Sequence, residues 1–257
     1  MQLLSARFFH FSYFTKSLFA VVLVLSECFF SNVAQAGALH RLRFDHFSID
    51  QGLPSTGIMT VYQTRNGFIW MGTANGLVRY DGRHIRLFSH SPATENTISQ
   101  DRIFSLFEDD QQRLWIGTRR GLNVLDLRTD KVHRIKMPAD LNMKQQVVYG
   151  ITQATKGRLW VATSAGLMLF DPANKQFTMW QPEPSVRADF VGEVRAILRD
   201  KSAGIWIGQA STIAHINADG QLLEHFKSTQ HQDSKTLQDS QALVRSLAFD
   251  NQIGRAS

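Results

Sequence analysis

The segment "RLWIGTRRGLNVLD" (residues 113–126) decides the reading of this chain, because the sequence says it four times. It recurs as "GFIWMGTANGLVRYD" (67–81), "GRLWVATSAGLMLFD" (157–171) and, more worn, "GIWIGQASTIAHIN" (204–217). The tryptophans stand at Trp70, Trp115, Trp160 and Trp206, at intervals of 45, 45 and 46 residues. A fixed period in this range denotes a solenoid, a propeller or an array.

The content of one period selects among these. A short apolar strand precedes each tryptophan: "IMTVYQ", "IFSLFE", "VVYGITQ" and "VRAILR". A polar turn follows, then the Trp strand, then a third strand ending at Asp81, Asp126 or Asp171. A fourth strand closes the unit, as in "HIRLFS", "VHRIKM", "FTMWQP" and "LLEHFK". Four short strands per period, with no room for a helix, describe a propeller blade. The predicted fold is therefore all-β: a β-propeller of about four complete four-stranded blades plus the start of a fifth, with the ring incomplete. The repeats fall near 48–91, 92–138, 139–183 and 184–227, with a partial one at 242–257. Each tryptophan is predicted to fill the gap between adjacent sheets, and Gly72, Gly117 and Gly208 to let a neighbouring strand approach. The third repeat carries Ala162 in that place.

Residues 1–36 read differently. Arg7 and Lys16 precede the apolar run "SLFAVVLVLSECFF", and small residues stand at Ala34 and Ala36. This is the pattern of a secretory signal peptide cleaved after Ala36, with an uncleaved anchor as the alternative. Residues 37–257 are then the truncated propeller. The lone cysteine, Cys28, lies inside the signal, so the mature chain has no disulfide and no thiol chemistry. With 43% hydrophobic and 19% charged residues, the chain can build a core. Its net charge of +6 is scattered, with no basic run interleaved with aromatics, which argues against nucleic-acid binding.

The pattern Asp-x-x-Gly-x-Leu-Trp-Ile-Gly-Thr-x-x-Gly-Leu-x-x-Leu-Asp, preceded by "SIDQGLPSTGI" (48–58), resembles the two-component regulator propeller repeat. The WD repeat differs, because here the tryptophan sits mid-blade and is followed by Gly-Thr. The resemblance implies a non-catalytic periplasmic sensory propeller. Its parent would be a transmembrane, dimeric signalling protein, a hybrid histidine kinase or a propeller-linked diguanylate cyclase. An exported propeller enzyme, such as a polysaccharide or antibiotic lyase, is the alternative. A fifth repeat opens with "VRSLAFDNQ" (244–252) and lacks its tryptophan, so the chain reads as an N-terminal fragment. "LRFDHFS" (42–48) resembles a fourth strand offered to an absent blade. Contact with a membrane is expected only through segments beyond this chain or an uncleaved signal.

No phosphate-binding loop, zinc-protease motif or nucleophile elbow occurs, and the nine histidines show no metal spacing. No cofactor and no metal are expected. The acidic "EDD" (108–110) is assigned to a turn rather than to catalysis. A ligand, either a small molecule or an oligosaccharide, is expected at one end of the channel. There the loops leading into the first strands share a face with those joining the second and third strands. The candidate ligand-binding residues are Arg102, Arg119, Arg120 and Glu193, beside Ser55, Thr56, Gln100, Asp101 and Gln145. Three arginines on one rim suit an acidic sugar or another anion, since a guanidinium matches a carboxylate bidentately.

Overall fold

A computed structural model describes residues 48–138 and 146–227. The signal segment, residues 42–47 of the proposed donor strand, Gln145, and the partial fifth repeat lie outside the described residues. The sixteen strands form four sheets, each in simple chain order. The first blade holds β1 (Ile58–Gln63), β2 (Ile69–Thr73), β3 (Gly76–Tyr80) and β4 (Ile85–Phe88). The second holds β5 (Ile103–Glu108), β6 (Arg113–Thr118), β7 (Gly121–Asp126) and β8 (Lys131–Ile135). The third runs through β9 (Val148–Gln153), β10 (Leu159–Thr163), β11 (Gly166–Asp171) and β12 (Gln176–Met179). The fourth comprises β13 (Ala196–Arg199), β14 (Ile205–Gly208), β15 (Thr212–Ile216) and β16 (Leu222–Lys227). All pairings within the blades are antiparallel, and β1, β5, β9 and β13 meet as inner strands. Among the described residues, no helix is long and apolar enough to cross a membrane.

The recurring letters of the repeat are turn chemistry. In the turn between second and third strands, Thr73, Thr118 and Thr163 each donate a side-chain hydrogen bond to the carbonyl of the glycine three residues on, at 2.9, 3.0 and 2.8 Å. Those glycines, Gly76, Gly121 and Gly166, have φ of 130°, 101° and 129°, a region open to glycine and strained for other residues. The aspartate ending the third strand closes the next turn. Asp81 accepts from the backbone of Arg83 and His84, which holds its carboxyl at about 2. Asp126 and Asp171 act alike, and in the fourth blade Asn217 replaces them. The "EDD" carboxylates also serve a turn. Asp109 accepts the backbone N–H of Gln111 and of Arg113 and the Trp115 indole N–H, while Glu108 accepts the backbone N–H of Arg65 from the preceding blade.

The core lies between blades. Trp70 packs with Ile103, Leu106 and Ile116 of the second blade, Trp115 with Val148 and Phe170 of the third, and Trp160 with Ile205 and Ile207 of the fourth. These three are 0%, 1% and 3% exposed. Trp206 occupies the same register but is only half-buried. It stacks on His215 at 4.4 Å, so its expected inter-blade burial is not reached among the described residues.

Beside each tryptophan, a pair of small residues faces the inner strand of the next blade. A Cβ on Gly72 would meet Ile103 Cγ2 at 2.7 Å, and one on Gly117 would meet Val148 O at 2.8 Å and Ser105 Oγ at 2.2 Å. Ala162 replaces glycine in the third blade because its cross-strand partner is Gly150, where a Cβ would meet Ile197 Cγ2 at 2.4 Å. The space requirement therefore belongs to the pair rather than to one position. Trp115→Ala is expected to cost ~3–5 kcal/mol in chemical denaturation, and Trp206→Ala clearly less, because it vacates a smaller buried volume. Gly117→Ala should cost ~1–3 kcal/mol by overpacking. The double variant Gly117→Ala/Ser105→Gly should lose less than the sum of the singles, a coupling that a double-mutant cycle measures.

Candidate functional site on the inner strands

The inner strands of the first three blades share an irregularity. In the first three blades the ladder between first and second strands slips by one residue, leaving Met59, Phe104 and Tyr149 as the extra residue of a β-bulge. Arg195 holds the same phase in the fourth blade, just before β13. A bulge re-aims its side chain and ends regular pairing, a device common beside functional sites. Of this column Phe104, Tyr149 and Arg195 line a shared hollow of about 230 Å³, together with Thr60, Gly150 and Ile197.

Two blades lock together across that hollow. Tyr149 donates from its hydroxyl to Glu193 Oε2 at 2.9 Å, and Arg195 Nε donates to Glu193 Oε1 at 2.6 Å. A second guanidinium nitrogen of Arg195 lies 2.5 Å from the same oxygen, and the guanidinium lies 5.2 Å from the Tyr149 ring centre. On its other side Tyr149 meets the edge of Phe104, with ring centres 5.6 Å apart. Burial raises the Tyr149 phenol above its ordinary pKa, and the bond to Glu193 and its charge add to this. Arg195 and Arg119 act in the opposite direction, which places the Arg119 charge within reach of the phenol.

The repeat family described as Two component regulator propeller matches residues 52–75 and 97–120. Two stretches of the chain therefore match this repeat. Both matched stretches run from the loop before the inner strand to the turn after the Trp strand, so each contains one bulged residue, Met59 or Phe104. The extracellular domain of a hybrid two component system from B. thetaiotaomicron superposes with a TM-score of 0.60 at 23% identity, over 71% of this chain and 26% of that one. The extracellular domain of a one component system from the same organism gives 0.59 at 16%, over 77% and 25%. A virginiamycin B lyase from Staphylococcus aureus, solved with quinupristin, gives 0.53 at 16%, over 70% and 59%. These likenesses establish the propeller fold. The chain spans about a quarter of the two extracellular domains. No curated protein matches it significantly.

The loops leading into the inner strands of these repeats share a face with the turns between second and third strands. The backbone N–H of Arg119 donates to Arg102 O at 3.1 Å, and that of Val194 donates to Thr163 O at 3.0 Å. Arg102 and Arg120 are exposed on this rim and Arg119 is half-buried. Glu193 has its carboxylate taken up by Tyr149 and Arg195, two residues that line the hollow. Ser55 and Thr56 lie in the loop before β1, where Ser55 Oγ accepts from the Gly57 backbone. Asp101 accepts the backbone N–H of His90. Gln100 lies beside it with Oε1 buried and unbonded. Phe104, Tyr149 and Arg195 escaped the sequence reading. Their signal was present: positions 59, 104, 149 and 195 repeat the tryptophan spacing, but with four unlike residues where the Trp column holds one. Among the described residues, no group of three metal-binding side chains converges.

Because the folded state raises the Tyr149 phenol, the stabilisation of the phenol–carboxylate contact is complete below the pKa of free tyrosine, ~10, and is lost as pH rises through the folded value. Ultraviolet titration, taken as the difference between the protein and Tyr149→Phe, should show Tyr149 ionising above a free tyrosine. Glu193→Gln should shift that ionisation downward.

Proposed function

We propose that the chain is the ligand-binding part of an exported, non-catalytic sensory propeller, and that the inner-strand hollow with its arginine rim receives an anionic ligand, an acidic oligosaccharide being the class that fits best. The observation that carries this reading is the bulged column. Three blades bulge at the same level, and Arg195 stands in that phase in the fourth. The residues differ in chemistry: Met59, Phe104, Tyr149 and Arg195, of which the last three line the hollow. A purely structural position in a repeat would keep one residue type, as the Trp column does. The apolar and aromatic members suit the carbon face of a sugar. Arg195 and the rim arginines Arg102, Arg119 and Arg120 outnumber the acids beside them, Glu193 and Asp101, so the field over the hollow is positive.

Tyr149, Glu193 and Arg195 satisfy one another, which supports a binding surface rather than a set of groups poised for proton transfer. The signal-like residues 1–36 support export to the periplasm, with cleavage between Ala36 and Gly37. In this reading occupancy is relayed through a membrane helix of a longer parent to a histidine kinase or diguanylate cyclase. The repeat family's description supports a regulatory role. Uronic-acid oligosaccharides should raise the melting temperature of the protein. The effect should weaken with salt, as expected for charge pairing at a partly exposed site. Arg195→Ala and Arg119→Ala should each diminish it, while neutral oligosaccharides of the same length have little effect. Equal responses to charged and neutral sugars, or an unchanged response in both variants, would refute the anionic assignment.

A further inference from the structure

The turn between third and fourth strands has one position that changes its chemistry from blade to blade. Asp130, Lys175 and Gly220 occupy it at intervals of 45 residues, with φ of 55°, 59° and 90°. In each case this residue faces the preceding blade. Between the first and second blades, Asp130 bridges two arginines, Arg79 at 2.9 Å and Arg86, which are cross-strand partners on β3 and β4. Between the third and fourth blades, the Trp180 indole N–H donates to Gly220 O at 2.8 Å. Two of the three inter-blade grooves are thus tied across at this level.

The groove between the second and third blades is different. Its turn residue is Lys175, and the arginine pair is replaced by the cross-strand pair Val124 and His133, Arg79 and Val124 each lying opposite the repeat tryptophan. The groove is open as a cleft of about 470 Å³, within the range of small-molecule sites, ~300–1,000 Å³. Its charged lining is basic: Arg113, His133, Arg134, Lys136 and Lys175, with no acid among the described residues that line it. The acids beside these strands are engaged. Asp109 is held by Arg113 at 2.7 Å, Asp126 pairs with Arg128 at 3.6 Å, and Asp171 accepts the Ala173 backbone N–H. The carbonyls of Ser91, Thr94 and Thr97 orient the Arg134 guanidinium without neutralising it. Lys136 and Lys175 are exposed and make no ion pair among the described residues.

We propose that this cleft is a second ligand site, which takes a small phosphomonoester. Its phosphate plays the part that the Asp130 carboxylate plays one groove earlier, as the anion that ties two blades together. Lys136 and Lys175 hold the phosphate, and the body of the ligand lies along the half-buried Ile135 and Pro172. Ammonium groups are compact charges that suit a tetrahedral oxyanion, whereas forked pairing with a planar carboxylate needs a free guanidinium, and both guanidinium groups here are engaged. Two free cations also match a dianion better than a single negative charge. The cleft is far larger than a bare phosphate ion, which leaves room for a body of sugar size. Trp115 and Phe170 lie beneath it in the core and give it shape without being touched. This site shares no residue with the inner-strand hollow and stands or falls independently of the ligand proposed there.

The test is line broadening in phosphorus NMR when glucose 6-phosphate, or inorganic phosphate for comparison, is titrated with the full chain. The expected result is saturable broadening of the ester and weaker binding of the bare ion. Lys175→Asp puts at this turn the residue type that the second blade already carries there, one that tolerates positive φ, and should abolish binding. Lys136→Ala should weaken it about fivefold, the scale of one exposed ion pair. Lys201→Asp, the same charge change at an exposed turn of the fourth blade, should leave binding unchanged, as should Arg195→Ala in the inner-strand hollow. Absence of saturable binding would overturn the proposal. So would undiminished affinity in Lys175→Asp, an equal loss in Lys201→Asp, or equal affinity for inorganic phosphate.

Discussion

A four-stranded blade is a sheet with two faces and too little material to cover either, so the whole architecture depends on how one blade meets the next. The contact that does this has two parts. A tryptophan on the second strand supplies bulk, and a pair of small residues beside it supplies room for the inner strand of the following blade. Trp115 with Gly117 and Ser105 is the clearest case, since the Val148 backbone oxygen occupies the space a Cβ on Gly117 would need. Bulk and room must lie side by side, because interiors pack densely and tolerate neither voids nor overlap. The third blade obeys the same constraint with the roles exchanged, Ala162 beside Gly150.

The turns are subordinate to that contact. Thr-x-x-Gly and Asp closures fix where strands begin and end, and so hold each tryptophan at the right depth. The side chain six residues before the tryptophan shows the link. Asp109 closes its turn and also accepts the Trp115 indole, and Thr64 accepts that of Trp70 at 3.2 Å. The third blade has Ala154 there, and the Trp160 indole nitrogen is buried without a partner. Its turn differs accordingly, with positive φ at both Lys156 and Gly157 instead of at one residue. Losing one side chain changes both the turn and the satisfaction of the core.

With the blade contacts uniform, variation is free to collect where blades do not touch the Trp layer. The bulged residues of the inner strands are such a place. Repetition thus separates two sorts of position: those carrying one residue in every period serve packing, and those changing in phase are available for recognition.

Much of this was legible in the sequence. The period, the four strands per unit, the turn residues and the inter-blade role of Trp70, Trp115 and Trp160 follow from interactions between residues close in the chain, which repeat whenever the letters repeat. The rim carrying Arg102, Arg119 and Arg120 was found the same way, from loop positions. The bulges at Met59, Phe104 and Tyr149 were not, because a bulge changes the pairing register without altering the apolar pattern that signals a strand. Nor could the sequence tell that Glu193 is held by Tyr149 and Arg195, that Gly150 makes room for Ile197 of the next blade, or that Trp206 stays half-exposed. Each of these joins residues from different strands or blades, and it depends on how twisted sheets converge in space. Local sequence determines the blade; only the packing of blade on blade decides which side chains meet.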